Sequence, residues 1–197
     1  MRLIEYHSTL PSTNDRVKEL MRQHHPPLPC LVVAQTQSAG RGRGNKTWWS
    51  GHGALLMSLG FMLLPAILPR GISSPDALSR SDLPALSAKS ADAVIAVIRR
   101  HLPEAQHLLT RHPPNDVYVD GKKICGILLE SPSPQYGIIG IGLNVNNRLQ
   151  DIPPELQEEL TSRSITSMVE LLGKPSRIPA LIDEIITQLG VAHAVLQ

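Results

Sequence analysis

Residues 116–145, DVYVDGKKICGILLESPSPQYGIIGIGLNV, decide the fold of this chain. Turn-forming residues separate its apolar stretches, and the pattern predicts strands over Asp116–Asp120, Lys122–Glu130 and Tyr136–Val145. The dipeptide Asp120-Gly121 predicts a tight hairpin, because glycine tolerates the positive φ that such turns need. Ser131–Gln135 predicts the second turn. Consecutive strands joined by hairpins predict an antiparallel meander.

Two further strands and a long helix precede the meander. Short apolar runs at Cys30–Ala34 and Ala54–Phe61 predict buried strands, and a glycine- and arginine-rich loop, Ser38–Gly53, lies between them. The polar residues over 70–82 predict another loop. A helix over about Pro84–His101 is predicted from its apolar stripe at helical spacing.

Capping residues place the remaining helices. Ser12 or Thr13 is a good N-cap for a first helix. The tail after Asp151 is predicted to be helical, and it carries helix-end signals at Ser167, Glu170 and Gly173. Strands joined by hairpins, with helices gathered elsewhere, indicate an α+β fold. We expect a mixed, mainly antiparallel sheet with helices packed against it.

Composition limits the function classes. The chain has 197 residues, 42% hydrophobic and 18% charged, which predicts a single globular domain over residues 1–197. A net charge of +2 and only 3% aromatic residues argue against a nucleic-acid partner. The longest apolar run, near Gly60–Pro69, contains prolines and is too short to cross a membrane. Cys30 and Cys125 are the only cysteines, which favours a reduced, cytoplasmic setting.

The stretch QSAGRGRGNKTWW, residues 37–49, carries the most informative functional signal. Its glycines let the backbone approach a ligand closely. Arg41 and Arg43 offer forked donors that suit phosphate and carboxylate oxygens, and Trp48 offers a flat apolar face for a purine. These residues together predict a nucleotide site beside a carboxylate. An Arg-Gly repeat on its own is also typical of a solvated basic loop or of a segment that touches RNA.

Two later stretches add to this signal, although each alone is more often structural. One is Asn115-Asp116 before a strand, and the other is Gly140–Asn146, which contains a Gly-x-Gly followed by Asn144. Together with Ser12-Thr13-Asn14 and the Lys-x-x-Gly-Ile-Leu run that ends at Leu128, they resemble the catalytic domain of the biotin protein ligases. The resemblance covers roughly residues 3–190, with the motifs in the family's order.

The resemblance implies an enzyme, a ligase that uses ATP to convert biotin to biotinyl-AMP. The biotinyl group would then pass to a lysine of a biotin carboxyl carrier protein. Biotin, ATP and Mg²⁺ are the implied small molecules, with no direct metal-binding cluster of protein side chains. The implied biotin-binding residues are Ser12, Thr13, Gln37, Gly40 and Arg41. The implied ATP-binding residues are Arg43, Lys46, Trp48, Asn115, Asp116 and Asn144, of which Arg43 is also expected to be catalytic.

One position departs from the family pattern. The family has a lysine three residues before the asparagine of its Asn-Asp pair, whereas this chain has His112 before Asn115. We expect His112 to take the catalytic lysine's place. Adenylation would then be slow or pH-dependent, because a histidine is a cation only below its own pKa. The competing interpretation is that His112 packs against the turn at Pro113-Pro114.

Other functions stay open from the sequence. A lipoate ligase or octanoyl transferase of the same superfamily is one alternative, and a non-catalytic biotin- or nucleotide-binding protein is another. We expect neither an N-terminal helix-turn-helix domain nor a C-terminal small β-barrel. Cys125 lies in an apolar strand and is interpreted as core, with a nucleophilic role as the alternative.

Overall fold

A computed structural model describes residues 1–44, 46–63, 82–113, 115–162 and 164–190. These residues form one seven-stranded sheet with the strand order β1-β2-β3-β7-β6-β5-β4. Strands β1 and β2 run parallel, and every other neighbouring pair is antiparallel. The strands are β1 Leu3–Leu10, β2 Cys30–Gln37, β3 Leu55–Met62, β4 Leu109–His112, β5 Asp116–Val119, β6 Lys122–Ser133 and β7 Tyr136–Leu143.

Helices pack on both faces of this sheet, because successive residues of a strand point to opposite sides. Cys30 and Val32 face a small cluster with the first helix, whereas Leu31 and Val33 face the larger cluster beneath the second and last helices. The helices are α1 Thr13–Met21, α2 Leu83–His101, α3 Pro154–Ser162, α4 Met168–Leu172 and α5 Ile178–Gln188, with 3-10 turns at Pro103–Leu108 and Leu149–Asp151.

Gly60 lets α1 lie close to the sheet. A Cβ atom built at Gly60 would come within 2.6 Å of the Val17 side chain and 2.9 Å of Cys30 Sγ. The helix therefore rests almost on the strand backbone, and its N-terminal residues Ser12, Thr13 and Asn14 are buried at one end of the sheet. This close packing brings the start of α1 to the candidate site.

The predicted mixed, mainly antiparallel α+β fold is confirmed, and the meander is strands β5, β6 and β7. Asp120 and Gly121 have φ values of 49° and 70°, as a two-residue hairpin requires. The predicted turn over Ser131–Gln135 was too long, because β6 continues to Ser133. The third strand ends at Leu143 rather than Val145.

The sequence patterns missed β1 and β4 and overstated one cap. Every residue of β1 is half-buried or exposed, so it lacks the apolar alternation of an inner strand. Ser167 is the N-cap of α4 without a side-chain cap bond, and Glu170 accepts from the Leu149 N–H instead. Gly173 closes α4 with φ 68°. Of the loop predicted over 70–82, residues 70–81 lie outside the described residues.

Among the helices of the described ranges, none is both long and apolar enough to cross a membrane.

Candidate active site

A cavity of about 340 Å³ opens over the sheet, where the predicted motifs meet. Its wall is made by the start of α1, the glycine- and arginine-rich loop, the β5–β6 hairpin and the middle of β7. It brings together most of the predicted site residues: Ser12, Thr13, Gln37, Arg41, Arg43, Lys46, Trp48, Asn115, Asp116 and Asn144.

Two glycines form the floor of this cavity and make room for an aromatic side chain against the sheet. Gly126 of β6 and Gly142 of β7 are partners in the strand register, and the Trp48 indole lies across both. A Cβ atom would come within 2.9 Å of Trp48 at Gly126 and 2.5 Å at Gly142. Trp48 Nε1 is buried against Gly142 and donates to no described residue.

A buried hydrogen-bond network forms the α1 end of the cavity. Gln37 Oε1 accepts from the Thr13 backbone N–H at 2.7 Å, and Gln37 Nε2 donates to Ser50 Oγ at 3.2 Å. Ser58 Oγ lies 2.7 Å from Thr13 Oγ1 and 2.5 Å from Asn14 Oδ1. This end is therefore polar and preorganised, in contrast to the glycine floor.

Arg41 anchors the glycine- and arginine-rich loop to α1. Its two terminal nitrogens lie 2.5 and 2.6 Å from the carboxylate oxygens of Asp15, and one is 3.9 Å from Glu130. The hydrogen bond from Arg41 holds the pKa of the Asp15 carboxyl below its usual range, and Asp15 in turn raises the pKa of Arg41. Its forked donor is thus engaged by a carboxylate of the chain itself.

Lys123 is the functional candidate that the sequence interpretation did not single out. Its Nζ lies 2.7 Å from Asp116 Oδ2 and 5.7 Å from the centroid of the Trp48 ring, and it lines the cavity. The register of the β5–β6 hairpin places Lys123 opposite Tyr118, a second cavity residue. A usable signal was the Lys-x-x-Gly-Ile-Leu run, because the two-residue turn at Asp120-Gly121 fixes that register.

His112 and Gly40 lie outside the described lining of the cavity. His112 is exposed at the end of β4, with its ring stacked on Tyr118 at a centroid distance of 4.0 Å. Gly40 closes the loop on itself, since its carbonyl accepts from the Trp48 N–H at 3.0 Å. A Cβ at Gly40 would come within 2.7 Å of the Trp48 carbonyl oxygen. The catalytic role of His112 and the biotin contact of Gly40 therefore stay predictions.

Asn115 and Asn144 line the cavity, and their side-chain amides donate hydrogen bonds to main-chain carbonyls around it. Asn115 Nδ2 donates to the Ile127 carbonyl, and Asn144 Nδ2 donates to the Thr166 carbonyl at 3.0 Å. Asn144 Oδ1 accepts from Asn147 Nδ2 at 3.0 Å. These bonds tie the strands to the segment before α4, and any contact with ATP stays a prediction. Arg43 and Lys46, in contrast, are exposed on the loop at the cavity.

Cys125 is fully buried in the core and is not among the described residues of the cavity wall. Burial raises the pKa of its thiol far above its ordinary value, so it stays protonated near neutral pH. The core interpretation is therefore favoured over a nucleophilic one.

Comparisons with known proteins agree with this geometry. A family model described as the biotin/lipoate A/B protein ligase family matches residues 6–144. The bifunctional ligase/repressor BirA of Bacillus subtilis is 37% identical over 165 residues, which cover 81% of this chain and 45% of that relative. The chain thus spans less than half the length of this relative.

Two solved structures share the fold over nearly the whole chain. The biotin protein ligase from Aquifex aeolicus in complex with biotin and ATP aligns with a TM-score of 0.71 and 25% identity, covering 97% of this chain and 70% of that one. The biotin protein ligase from Leishmania major in complex with biotinyl-5-AMP aligns with a TM-score of 0.72 and 26% identity, covering 96% of this chain and 74% of that one.

Proposed function

Because the chain belongs to the biotin/lipoate A/B protein ligase family, we propose that it converts biotin and ATP to biotinyl-AMP and passes the biotinyl group to a lysine of a biotin carboxyl carrier protein. One observation carries the proposal. A single cavity holds a polar end at Thr13 and Gln37, a glycine floor covered by the Trp48 indole, and a cation, Lys123, paired with a carboxylate. These features suit a small acid with a polar ring and a reaction that builds negative charge.

The cavity matches the chemistry of biotin part by part. Its volume of about 340 Å³ lies within the usual range of small-molecule sites. The ureido ring of biotin has two N–H donors and a carbonyl acceptor, which Thr13 and Gln37 can pair at the polar end. The apolar part of the cavity lining can contact the thiophane ring and the aliphatic chain. Lipoate has a dithiolane ring without strong donors, and would leave that polar end poorly paired.

The first reaction step needs positive charge near a phosphate. A carboxylate oxygen of biotin attacks the α-phosphorus of ATP, the bond to the bridging oxygen breaks, and pyrophosphate leaves. Charge on the phosphate oxygens increases in the transition state, and fixed cations stabilise it. Lys123 is placed in the cavity for this task, and Arg43 and Lys46 can reach phosphates from the loop.

The second step is acyl transfer. The neutral ε-amine of the carrier lysine attacks the acyl carbon of biotinyl-AMP, AMP leaves, and an amide forms with loss of a proton from the amine. The Trp48 indole packs against Gly126 and Gly142 at the base of the loop. A loop that closed over the adenylate would limit its hydrolysis before the carrier arrives.

Asp116 gives the cavity a donor suited to Mg²⁺. Magnesium in nucleotide sites is commonly held by one or two carboxylates together with substrate phosphates. The Asp116 carboxylate is half-buried at the cavity wall with Oδ2 2.7 Å from Lys123 Nζ, so a magnesium ion would share this carboxylate with Lys123. Asp116 would hold the ion beside the triphosphate, where Mg²⁺ would neutralise phosphate charge.

The direct test is biotin-dependent pyrophosphate release from ATP, with biotinyl-AMP identified by mass spectrometry and transfer followed on a purified carrier domain. We expect release with biotin and much less with lipoate. Calorimetric binding of biotin without pyrophosphate release would instead support a non-catalytic binder. Faster pyrophosphate release with lipoate or octanoate than with biotin would support a lipoate ligase or octanoyl transferase instead.

A further inference from the structure

Ser58 lies beneath the cavity rather than in its described lining. It sits on β3 with 0% of its surface exposed, between the start of α1 and the sheet. Its hydroxyl contacts Thr13 Oγ1 and Asn14 Oδ1, so it links two residues of the cavity lining from behind. A serine hydroxyl has one proton to donate, and the direction of that proton determines what Thr13 can offer to a ligand.

Glu130 fixes the orientation of the Asn14 amide. The Glu130 carboxylate takes a hydrogen bond from Lys18 Nζ at 2.8 Å and another from Asn14 Nδ2 at 2.7 Å. A carboxylate only accepts hydrogen bonds, so the NH₂ group of Asn14 must face Glu130. The amide oxygen of Asn14 must then face Ser58, and it can only accept.

The Ser58 proton is consequently committed to Asn14. The 2.7 Å contact between Ser58 and Thr13 still needs a proton, and only the Thr13 hydroxyl can supply it. If Thr13 donated to Gln37 Oε1 at 3.1 Å instead, the shorter oxygen–oxygen contact would have no hydrogen between its atoms. Gln37 Oε1 already accepts from the Thr13 backbone N–H, so it does not need that second donor.

We propose that Ser58 is a positioning residue that holds the Thr13 hydroxyl with its proton inward and its lone pairs toward the cavity. Thr13 then serves as an acceptor, and the polar end of the cavity selects a ligand ring with N–H donors. The inference rests on the proposed function, because the ureido ring of biotin supplies such donors. It adds a supporting chain, Glu130–Asn14–Ser58, that acts through Thr13. Ser58 and Glu130 lie outside the described cavity lining, whereas Asn14 is part of it.

The test compares two ligands on three proteins by calorimetry: the unmodified chain, Ser58→Ala, and Ser90→Ala as the matched control. Ser90 is equally buried, but it bonds to the Leu86 carbonyl within α2, away from the cavity. The ligands are biotin and its cyclic carbonate analogue, in which oxygen replaces both ring N–H groups. Thermal melts of each protein establish that it is folded.

We expect Ser58→Ala to weaken biotin binding by about three- to tenfold, the range of one neutral hydrogen bond. Binding of the carbonate analogue should change by less than about twofold, because it has no N–H for Thr13 to accept. Ser90→Ala should leave the ratio of the two affinities as it is in the unmodified chain. If Ser58→Ala does not fold, Glu130→Gln is the second variant, because it weakens the contact that orients the Asn14 amide. It should also lower the ratio of the affinity for biotin to the affinity for the carbonate analogue.

Equal losses for both ligands, or an unchanged ratio in a folded Ser58→Ala and in Glu130→Gln, would overturn the role of Ser58. If biotin fails to bind the unmodified chain, the proposed function fails instead. The two failures are therefore distinguishable within one experiment.

Discussion

Replacing Lys123 with glutamine removes a cation from the cavity and keeps a side chain that donates hydrogen bonds. Only 22% of the Lys123 side chain is exposed, and its Nζ lies 2.7 Å from Asp116. In the proposed adenylation, negative charge increases on the α-phosphate as pyrophosphate leaves. Lys123→Gln should therefore reduce the rate of the chemical step more than the affinity for biotin.

The size of the effect follows from the position of Lys123. A unit charge about 4 Å from a phosphate oxygen contributes about 4 kcal/mol at an effective dielectric constant of about 20. Lys123 already interacts with Asp116 and keeps some contact with solvent, so its contribution should be smaller than this value. We expect adenylation to slow by about 10²–10³, as when one preorganised donor is removed from a charged transition state. Biotin affinity should fall by less than about tenfold.

The assay is single-turnover pyrophosphate release at saturating biotin and ATP. Lys122→Gln is the matched control, because Lys122 is exposed on the same hairpin and lies outside the described cavity lining. His112→Ala completes the series, and its loss should be smaller than that of Lys123→Gln. A loss below about tenfold at Lys123, or an equal loss at His112, would refute the reasoning.

Two further predictions concern the fold. The hydrogen bond from Arg16 lowers the pKa of Glu5 from 4.5 to about 2, so this pair should stabilise the fold above about pH 4.5 and lose that contribution as the pH falls toward 2. Glu5→Gln should reduce the free energy of unfolding by about 0.5–1 kcal/mol at pH 7, and the difference should shrink below pH 4.5 in urea titrations. Burial raises the pKa of Cys30 to about 11 and raises the pKa of Cys125 further. Both thiols should therefore react with Ellman's reagent only after unfolding. Fast labelling of the native chain would contradict this prediction.

The sequence predicted the parts of the fold that depend on local signals. The meander follows from apolar runs separated by Asp120-Gly121 and a second turn, and α2 follows from a stripe of apolar residues at helical spacing. Strand β1 was not predicted, because it lies at the sheet edge and pairs in parallel with β2, from which α1 separates it in sequence. Such pairing depends on distant residues, and no short window of sequence contains it.

The site was predictable where a motif is continuous in the chain. Thr13, Gln37, Arg41 and Trp48 lie in recognisable stretches, and all four line the cavity. Ser58 was not predictable, because a serine inside an apolar strand carries no motif. Its role depends on three contacts made by residues distant in sequence, ending at Glu130. A residue beneath a site is placed there by tertiary packing. Sequence patterns can therefore identify residues of the cavity lining, but not the residues behind them that hold the lining in position.

His112 and Lys123 are two candidates for the cation near the phosphate, the first taken from its position along the chain and the second from the structure. Counting back from Asn115 identifies His112 as the replacement for a family lysine, and the resemblance offers no geometry to check it. In the structure, β4 carries His112 to the exposed end of the strand, stacked on Tyr118. Across the β5–β6 hairpin, Lys123 reaches Asp116 from β6. A cation that serves the phosphate need not precede the Asn-Asp motif in sequence, because antiparallel pairing brings a residue seven positions after Asp116 to its carboxylate.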